Sequence, residues 1–174
     1  MNEFGKLIDG NALQFKRTLP GSIQQVWEYL VDDHKRSLWF AGGPTELKPG
    51  GNMNLIFNNS KFSDIPDPTP EKYKDYGDGF KSTAIILEVK KPDRLVIDWE
   101  GGIVKFELRE LSEGNVELTL THEKLQDDKE YRVGTFAGWH THLNILVDRL
   151  NNNKVKGFWQ VHMRLEEEYS KRLD

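Results

Sequence analysis

Residues 81–150 read KSTAIILEVKKPDRLVIDWEGGIVKFELRELSEGNVELTLTHEKLQDDKEYRVGTFAGWHTHLNILVDRL, and the period of their apolar residues changes once along the way. Lys81–Val89, Arg94–Glu100, Ile103–Leu111 and Val116–His122 read as strands, separated by Lys91-Pro92-Asp93, Gly101-Gly102 and Glu113-Gly114-Asn115. Connections this short join antiparallel neighbours, so the four predict a meander. After Gln126-Asp127-Asp128 the spacing turns helical: Phe136, Trp139, Leu143, Leu146, Val147 and Leu150 share one stripe of a helix over roughly residues 131–151. A sheet has to bury one face, and this helix is the element large enough to cover it.

Upstream, Ala12 to Leu19 alternates, with Leu13, Phe15 and Leu19 on one face and Arg17 as a charged exception among them. Pro20-Gly21 breaks this strand. Ser22 with Gln25 forms a capping box opening a helix whose Ile23, Val26, Trp27 and Leu30 face a core. Asp32 or Asp33 can cap a second short helix, carrying Leu38, Trp39 and Phe40 forward to a stop at Gly42-Gly43-Pro44. Thr45–Lys48 and Asn52–Phe57 read as a hairpin about Pro49-Gly50-Gly51, with Met53, Leu55 and Phe57 on one face. Residues 58–80 are polar and hold Pro66, Pro68 and Pro70, long for a hairpin connection. Thr69-Pro70-Glu71 can start one helical turn there. Because the segment runs from Phe57 to Phe80, it is expected as a flap near a cavity entrance.

Downstream, Asn151-Asn152-Asn153 and Gly157 interrupt the long helix, and Phe158 to Leu173 is helical again, with Glu167/Lys171 and Glu168/Arg172 spaced i, i+4 on a solvated face. The expectation is an α+β chain: a tail at 1–11, then one domain at 12–174 with an inserted loop at 58–80 and an appended helix at 158–173. Its centre is a curved antiparallel sheet of six to seven strands around the long C-terminal helix, with two short helices after the first strand.

Composition narrows the function. The 174 residues carry 24 basic and 28 acidic side chains, a net charge of −4, with no basic block that would track phosphates. Nucleic acid is not expected as a partner. The absence of cysteine removes disulfides, thiol nucleophiles and thiolate metal ligands and fits a reducing cytoplasm. No apolar run approaches the roughly 18 residues needed to span a bilayer, so neither secretion nor membrane insertion is expected.

FKRTLPGSIQQVWEYLVD at 15–32, ELKPGGNMNL at 46–55, ILEVKKPDRLVIDWE at 86–100, FELRELSEGNVELTLTHEKL at 106–125 and GWHTHLNILVDRL at 138–150 together resemble the activator of heat-shock-protein-90 ATPase homologue-like proteins. These lie within the START/SRPBCC helix-grip superfamily, which includes the birch pollen allergen. FWQVHMRLEEEYSKRL at 158–173 is similar to the tail of a bacterial subgroup. The resemblance implies a cavity between sheet and C-terminal helix that binds small ligands, with no universal catalytic residues. The proline-bearing insertion departs from the pattern, and a chaperone partner is implied by the family name alone.

Within that frame the aromatics Trp39, Phe40, Phe57, Trp99, Phe106, Phe136 and Trp139, with Leu143, are candidate cavity lining, each of them equally readable as core packing. Arg17 and His122 are candidate polar anchors, and His122 shares strand parity with Val116, Leu118 and Leu120, so it could face inward together with His140. His140 and His142 stand two apart on a helix and point about 200° from one another, which spoils them as a metal pair. No metal, cofactor, nucleophile motif or phosphate loop is found. The expected function is non-catalytic binding of a small hydrophobic molecule such as a lipid, a polyphenol or a polyketide-like compound. The alternatives are a cyclase-like or hydrolase-like enzyme using the same cavity, and a chaperone-interacting protein modulating heat-shock-protein-90 ATPase.

Overall fold

The computed structural model describes residues 3–77, 79–112 and 114–174. Asp78 of the 58–80 insertion, Glu113 of the last turn and the first two residues of the tail lie outside them. Seven strands, β1 (Lys6–Ile8), β2 (Ala12–Pro20), β3 (Asn52–Phe57), β4 (Phe80–Lys90), β5 (Arg94–Trp99), β6 (Gly102–Glu110) and β7 (Asn115–Glu123), form one antiparallel sheet in the order β1-β2-β7-β6-β5-β4-β3. Helices α1 (Ile23–Val31) and α2 (Asp33–Ser37) follow β2, and α3 (Lys129–Leu150) and α4 (Phe158–Arg172) complete the chain. Short 3-10 turns occupy Asn59–Lys61 and Glu71–Tyr76. Among the described residues no helix is long and apolar enough to cross a membrane.

The sheet follows the alternation of its residues. Leu13, Phe15, Arg17 and Leu19 of β2 are buried and stand opposite His122, Leu120, Leu118 and Val116 of β7, so one face of the pair is continuous with the core. A register shift between Ile86 and Glu88 interrupts the β4–β5 ladder, and such bulges bend a sheet. The curved inner face receives α3, which is capped at its start by Asp128 accepting from the Tyr131 N–H at 2.7 Å. The Ser22–Gln25 capping box is present on α1, and Asp32 caps α2.

Two expectations are corrected. Thr45–Lys48 is not a strand: the segment touches β3 through two isolated bridges, Gly42 to Ile56 and Thr45 to Met53, because Pro44 lacks an N–H and Gly43 turns the backbone at φ 120°. The seventh strand is instead Lys6–Ile8 inside the segment read as a tail, paired with β2 as an edge. The N–H of Gly5, just before it, donates to Tyr169 Oη at 2.9 Å and so ties this end to α4.

Arg36 joins the early helices to the sheet. Its guanidinium, 2% exposed, donates to the carbonyls of Ala41 (2.8 Å), Gly43 (2.8 Å), Asn54 (3.2 Å) and Val31 (3.4 Å) and to Thr45 Oγ1 (3.0 Å). Five bonds satisfy all donors of a planar fork with which, among the described residues, no carboxylate forms an ion pair. They fold residues 41–45 back over β3 and thereby set the direction in which Trp39 and Phe40 enter the core.

Helix α4, read as an appendage with a solvated face, packs along the outside of α3 and buries Phe158, Trp159, His162, Leu165, Glu166 and Tyr169. Its N-terminus has a glycine, Gly157, at the capping position and no cap from its own sequence. The carboxylate of Asp67, in the insertion, accepts the Trp159 N–H at 2.9 Å and does that work from a distance of 92 residues along the chain.

Candidate functional site

On α3, Tyr131, Gly134, Thr135, Gly138, Trp139 and His142 follow i, i+3, i+4 spacing and make one wall of a cavity of ≈ 400 Å³. Phe57, Phe80, Trp99 and His122 form the sheet wall, Phe40 enters from the segment after α2, and Phe158, Trp159 and His162 of α4 close the far side together with Asn59, Tyr73 and Tyr76 of the insertion. Two helix-interior glycines make room here. A methyl group at Gly138 would come no nearer than 3.9 Å to His162, and one at Gly134 no nearer than 3.7 Å to Tyr73, so the position is open and the missing side chains are part of the void.

The rings lie in two groups. On the sheet side Phe57 stacks on Phe80 at 4.5 Å and on Trp99 at 5.7 Å, while Phe40 stacks on Trp139 at 5.0 Å. On the α4 side Tyr73 stacks on Trp159 at 5.0 Å and Phe158 on His162 at 5.4 Å. Near-parallel pairs of this kind are among the arrangements that aromatic rings favour.

Three histidines supply polar atoms to the lining. The Trp139 indole N–H donates to His122 Nδ1 at 3.1 Å, and because an indole can only donate, the neutral ring of His122 carries its hydrogen on Nε2. Burial pushes His122 down to about 4. His142 Nδ1 donates to the Trp39 carbonyl at 2.8 Å, and burial, opposed by that bond, pushes it down to about 3. His162 Nε2 lies 3.1 Å from Glu166 Oε1 and 3.2 Å from Tyr73 Oη. Tyr73 also donates to Glu166, and Lys72 reaches Glu166 at 3.2 Å and Glu130 at 3.4 Å. Burial alone would raise the Glu166 carboxyl, but hydrogen bonds from His162 and Tyr73, the charge of His162 and the bond from Lys72 outweigh it and hold the carboxyl at about 2. The charged groups that line the cavity, Lys72, Glu100 and Glu130, are solvent-exposed and stand at its rim.

Gly102 is where the sheet makes space for His122. A Cβ there would sit 2.3 Å from His122 Nε2 and 2.9 Å from Cδ2, so that edge of the ring lies against the glycine.

Of the residues singled out from the sequence, Phe40, Phe57, Trp99, His122 and Trp139 meet at the cavity. The others do not. Trp39 is buried with its indole N–H on the Tyr29 carbonyl at 2.8 Å. Phe106 packs edge-on against Trp139 from outside the cavity, and Leu143 is fully buried in the core. Phe136, His140 and Arg17 belong to a second cluster with Phe15 and Tyr169, in which His140 Nδ1 bonds Tyr169 Oη at 2.8 Å and the Arg17 guanidinium sits 5.5 Å from the Phe15 ring. Burial first, then the charges of Arg17, Arg164 and Arg172, push His140 down to about 3. One residue of helix rotates the side chain by about 100°, so Trp139 faces the cavity while His140 faces β2 and α4, and His122 and His140 do not share a site. Tyr73, Tyr76, Phe80, His142, Phe158, Trp159 and His162 are among the lining residues that the sequence reading missed.

Residues 20–151 match the family model described as activator of Hsp90 ATPase homolog 1-like protein. The chain belongs to this family. A solution structure of a protein from Bordetella parapertussis is similar at 32% identity and TM-score 0.81, over 98% of this chain and 91% of that one. A conserved protein of unknown function from Enterococcus faecalis (19% identity, TM-score 0.74, 99% and 91% covered) and CalU16 from Micromonospora echinospora (18%, 0.65, 97% and 93%) share the fold. No curated protein matches the chain. The activator of Hsp90 ATPase homolog 1-like match ends before α4, whereas the likeness to the Bordetella protein runs through it. The family region therefore contributes the sheet wall, the insertion and α3, and the segment beyond it contributes Phe158, Trp159 and His162.

Proposed function

We propose that this protein captures small, uncharged, largely apolar molecules, such as polyphenols, lipids or polyketide-like compounds, and holds them without chemical change. The observation that carries the reading is the cavity itself: ≈ 400 Å³ of space walled by aromatic rings, with its charged lining residues confined to the rim. Sites for small molecules are of this size and character, an apolar body with a few placed polar groups. Burying about 300 Å² of apolar ligand surface at about 25 cal/mol/Å² contributes about 7 kcal/mol, before association costs of several kcal/mol. Affinity in the micromolar range or weaker follows.

Trp99, Trp139 and Trp159 line the cavity, so occupancy by an uncharged naphthylamine dye is expected to quench tryptophan emission saturably and to shift amides of α3 and β7. Quenching without saturation, or shifts confined to the outer face of the sheet, would sink the reading.

A second reading, acid–base turnover in the same cavity, is supported by the group of Tyr73, His162 and Glu166. The two are separated by recovering the bound molecule after prolonged incubation and weighing it: an unchanged mass supports capture, a changed one supports an enzyme.

A further inference from the structure

The N-terminal segment fastens the last turns of α4. The Gly5 N–H donates to Tyr169 Oη at 2.9 Å, and the same oxygen shares a 2.8 Å hydrogen bond with His140 Nδ1 of α3, so segment, α4 and α3 meet on one buried hydroxyl. Phe4 packs edge-on against His140 at 5.1 Å and Tyr169 at 5.5 Å, and the Arg172 guanidinium lies 3.6 Å from the centre of its ring. Position 5 has no room for a side chain: a Cβ there would stand 2.5 Å from Phe15 Cζ, and that ring is itself buried against Phe136 and His140. The strand that follows, β1, is the shortest of the sheet and pairs with β2 alone, over three residues. Short terminal segments of this kind open at little cost in free energy.

The first turn of α4 is anchored separately, by Asp67 on the Trp159 N–H and by Ser60 Oγ, which accepts the Trp159 indole N–H at 2.9 Å. Beyond it, His162 and Glu166 lie over the two glycines of α3: a Cβ at Gly138 would meet His162 Cε1 at 3.9 Å, and one at Gly134 would meet Glu166 Oε1 at 3.8 Å. With no side chain on α3 at these positions the helices do not interlock there. The seam is held by what fastens the ends of α4 and by the bonds of Tyr73 and Lys72 to Glu166.

We propose that the N-terminal segment is a strap whose release lets α4 pivot on its anchored first turn and part from α3 over Gly134 and Gly138, opening the cavity to a ligand. This rests on the reading of the cavity as a ligand site and adds the control of access to it. Entry and exit use the same opening, so the strap sets the rates of both and leaves affinity almost unchanged. A helix of 15 residues without its packing is marginal in water, so parting also exposes the amides of α4.

Hydrogen exchange and dye kinetics test the strap together. In the unaltered protein the amides of α4 should exchange through an opening with a smaller urea dependence than that of the β7 amides, because the sheet stays folded. This measurement needs no substitution and stands even where a variant misfolds. Phe4→Ala and Gly5→Ala, which leave α4 and the cavity lining unaltered, should each quicken exchange across Val161 to Tyr169 by about tenfold, the factor for one hydrogen bond of average strength. Association and dissociation of an uncharged naphthylamine dye, followed by tryptophan quenching in stopped flow, should quicken by the same factor, with Kd constant within about twofold. Exchange of α4 and β7 through one global opening, or α4 exchange within about twofold of the unaltered protein in both variants, would overturn the strap. Faster exchange with unchanged dye association would overturn its control of access. A dye that fails to bind the unaltered protein would overturn the ligand-site reading and the control of access with it, while exchange alone decides the strap.

Discussion

Trp139 on α3 and His122 on β7 are joined by a 3.1 Å hydrogen bond from indole to imidazole, which ties the helix to the sheet at the wall of the cavity. His122 shares with His140 and His142 a protonation behaviour set by burial: the three are held at about 4, 3 and 3. In an unfolded chain each would titrate near 6.5. Between those values the unfolded state binds more protons than the folded one, so stability is complete above about pH 6.5 and is lost as the pH falls. With up to three protons taken up, the slope approaches about 4 kcal/mol per pH unit near pH 5. Urea midpoints measured from pH 7.5 to 4.5 should fall steeply, and substituting any one of the three should flatten the curve by about one proton. A flat profile from pH 7 to 5 would contradict the burial of these rings as neutral groups. Glu166, held down at about 2, adds to the loss only below its unfolded range.

Gly138→Ala should separate stability from binding. Removing glycine from a helix interior stabilises it by about 0.5–1 kcal/mol, and the new methyl group has room. It takes that room from the cavity. Thermal stability should rise while the affinity for an apolar probe falls by roughly 3- to 10-fold. A rise in both would show that the ligand sits elsewhere.

Asp67→Ala removes the acceptor at the start of α4 and should cost about 1–2 kcal/mol, read from the urea midpoint at constant slope. Asp67→Asn keeps an acceptor for the Trp159 N–H and should lose less. Equal losses would mean that the carboxylate acts through its charge on the helix end rather than through the bond.

Arg36→Met should be among the most damaging single changes, about 3 kcal/mol or more, because four carbonyls, two in buried and two in part-buried hydrogen bonds, lose their donor together. Arg36→Lys should recover little, since an ammonium cannot span acceptors arranged for a planar fork. Unfolding by urea measures the cost. In whichever variant remains folded, altered stacking of Phe40 on Trp139 should appear in the near-ultraviolet circular dichroism.

The sheet and the helix across it were legible because alternation and helical spacing each name the buried face of an element directly. Phe57, Trp99 and Trp139 were found that way. What a period cannot name is the neighbour across the layers, and His140 illustrates it: inward by its helix position, it meets Tyr169 rather than His122. Phe158, Trp159 and His162 read as the ordinary apolar side of an appended helix, and only the packing of α4 beside the insertion turns that side into a wall. Tyr73 and Tyr76 lay in a polar stretch with no period at all. Gly134 and Gly138, out of place inside a helix, were the one local signal that something approaches α3 closely or leaves it open. The edge strand Lys6–Ile8 was missed because three residues are too few to show alternation.

The cap that Asp67 lends to α4 also orders events in time. As the chain leaves the ribosome, the sheet and α3 are complete once Leu150 has emerged, and by then the insertion has been waiting since Gly77 with Asp67 unmatched and its tyrosines uncovered. Only when Trp159 and then Glu166 arrive can the two segments seal against each other. Until then Phe158, Trp159 and His162 are missing from the wall of the cavity, and the flank of α3 that they cover stays open.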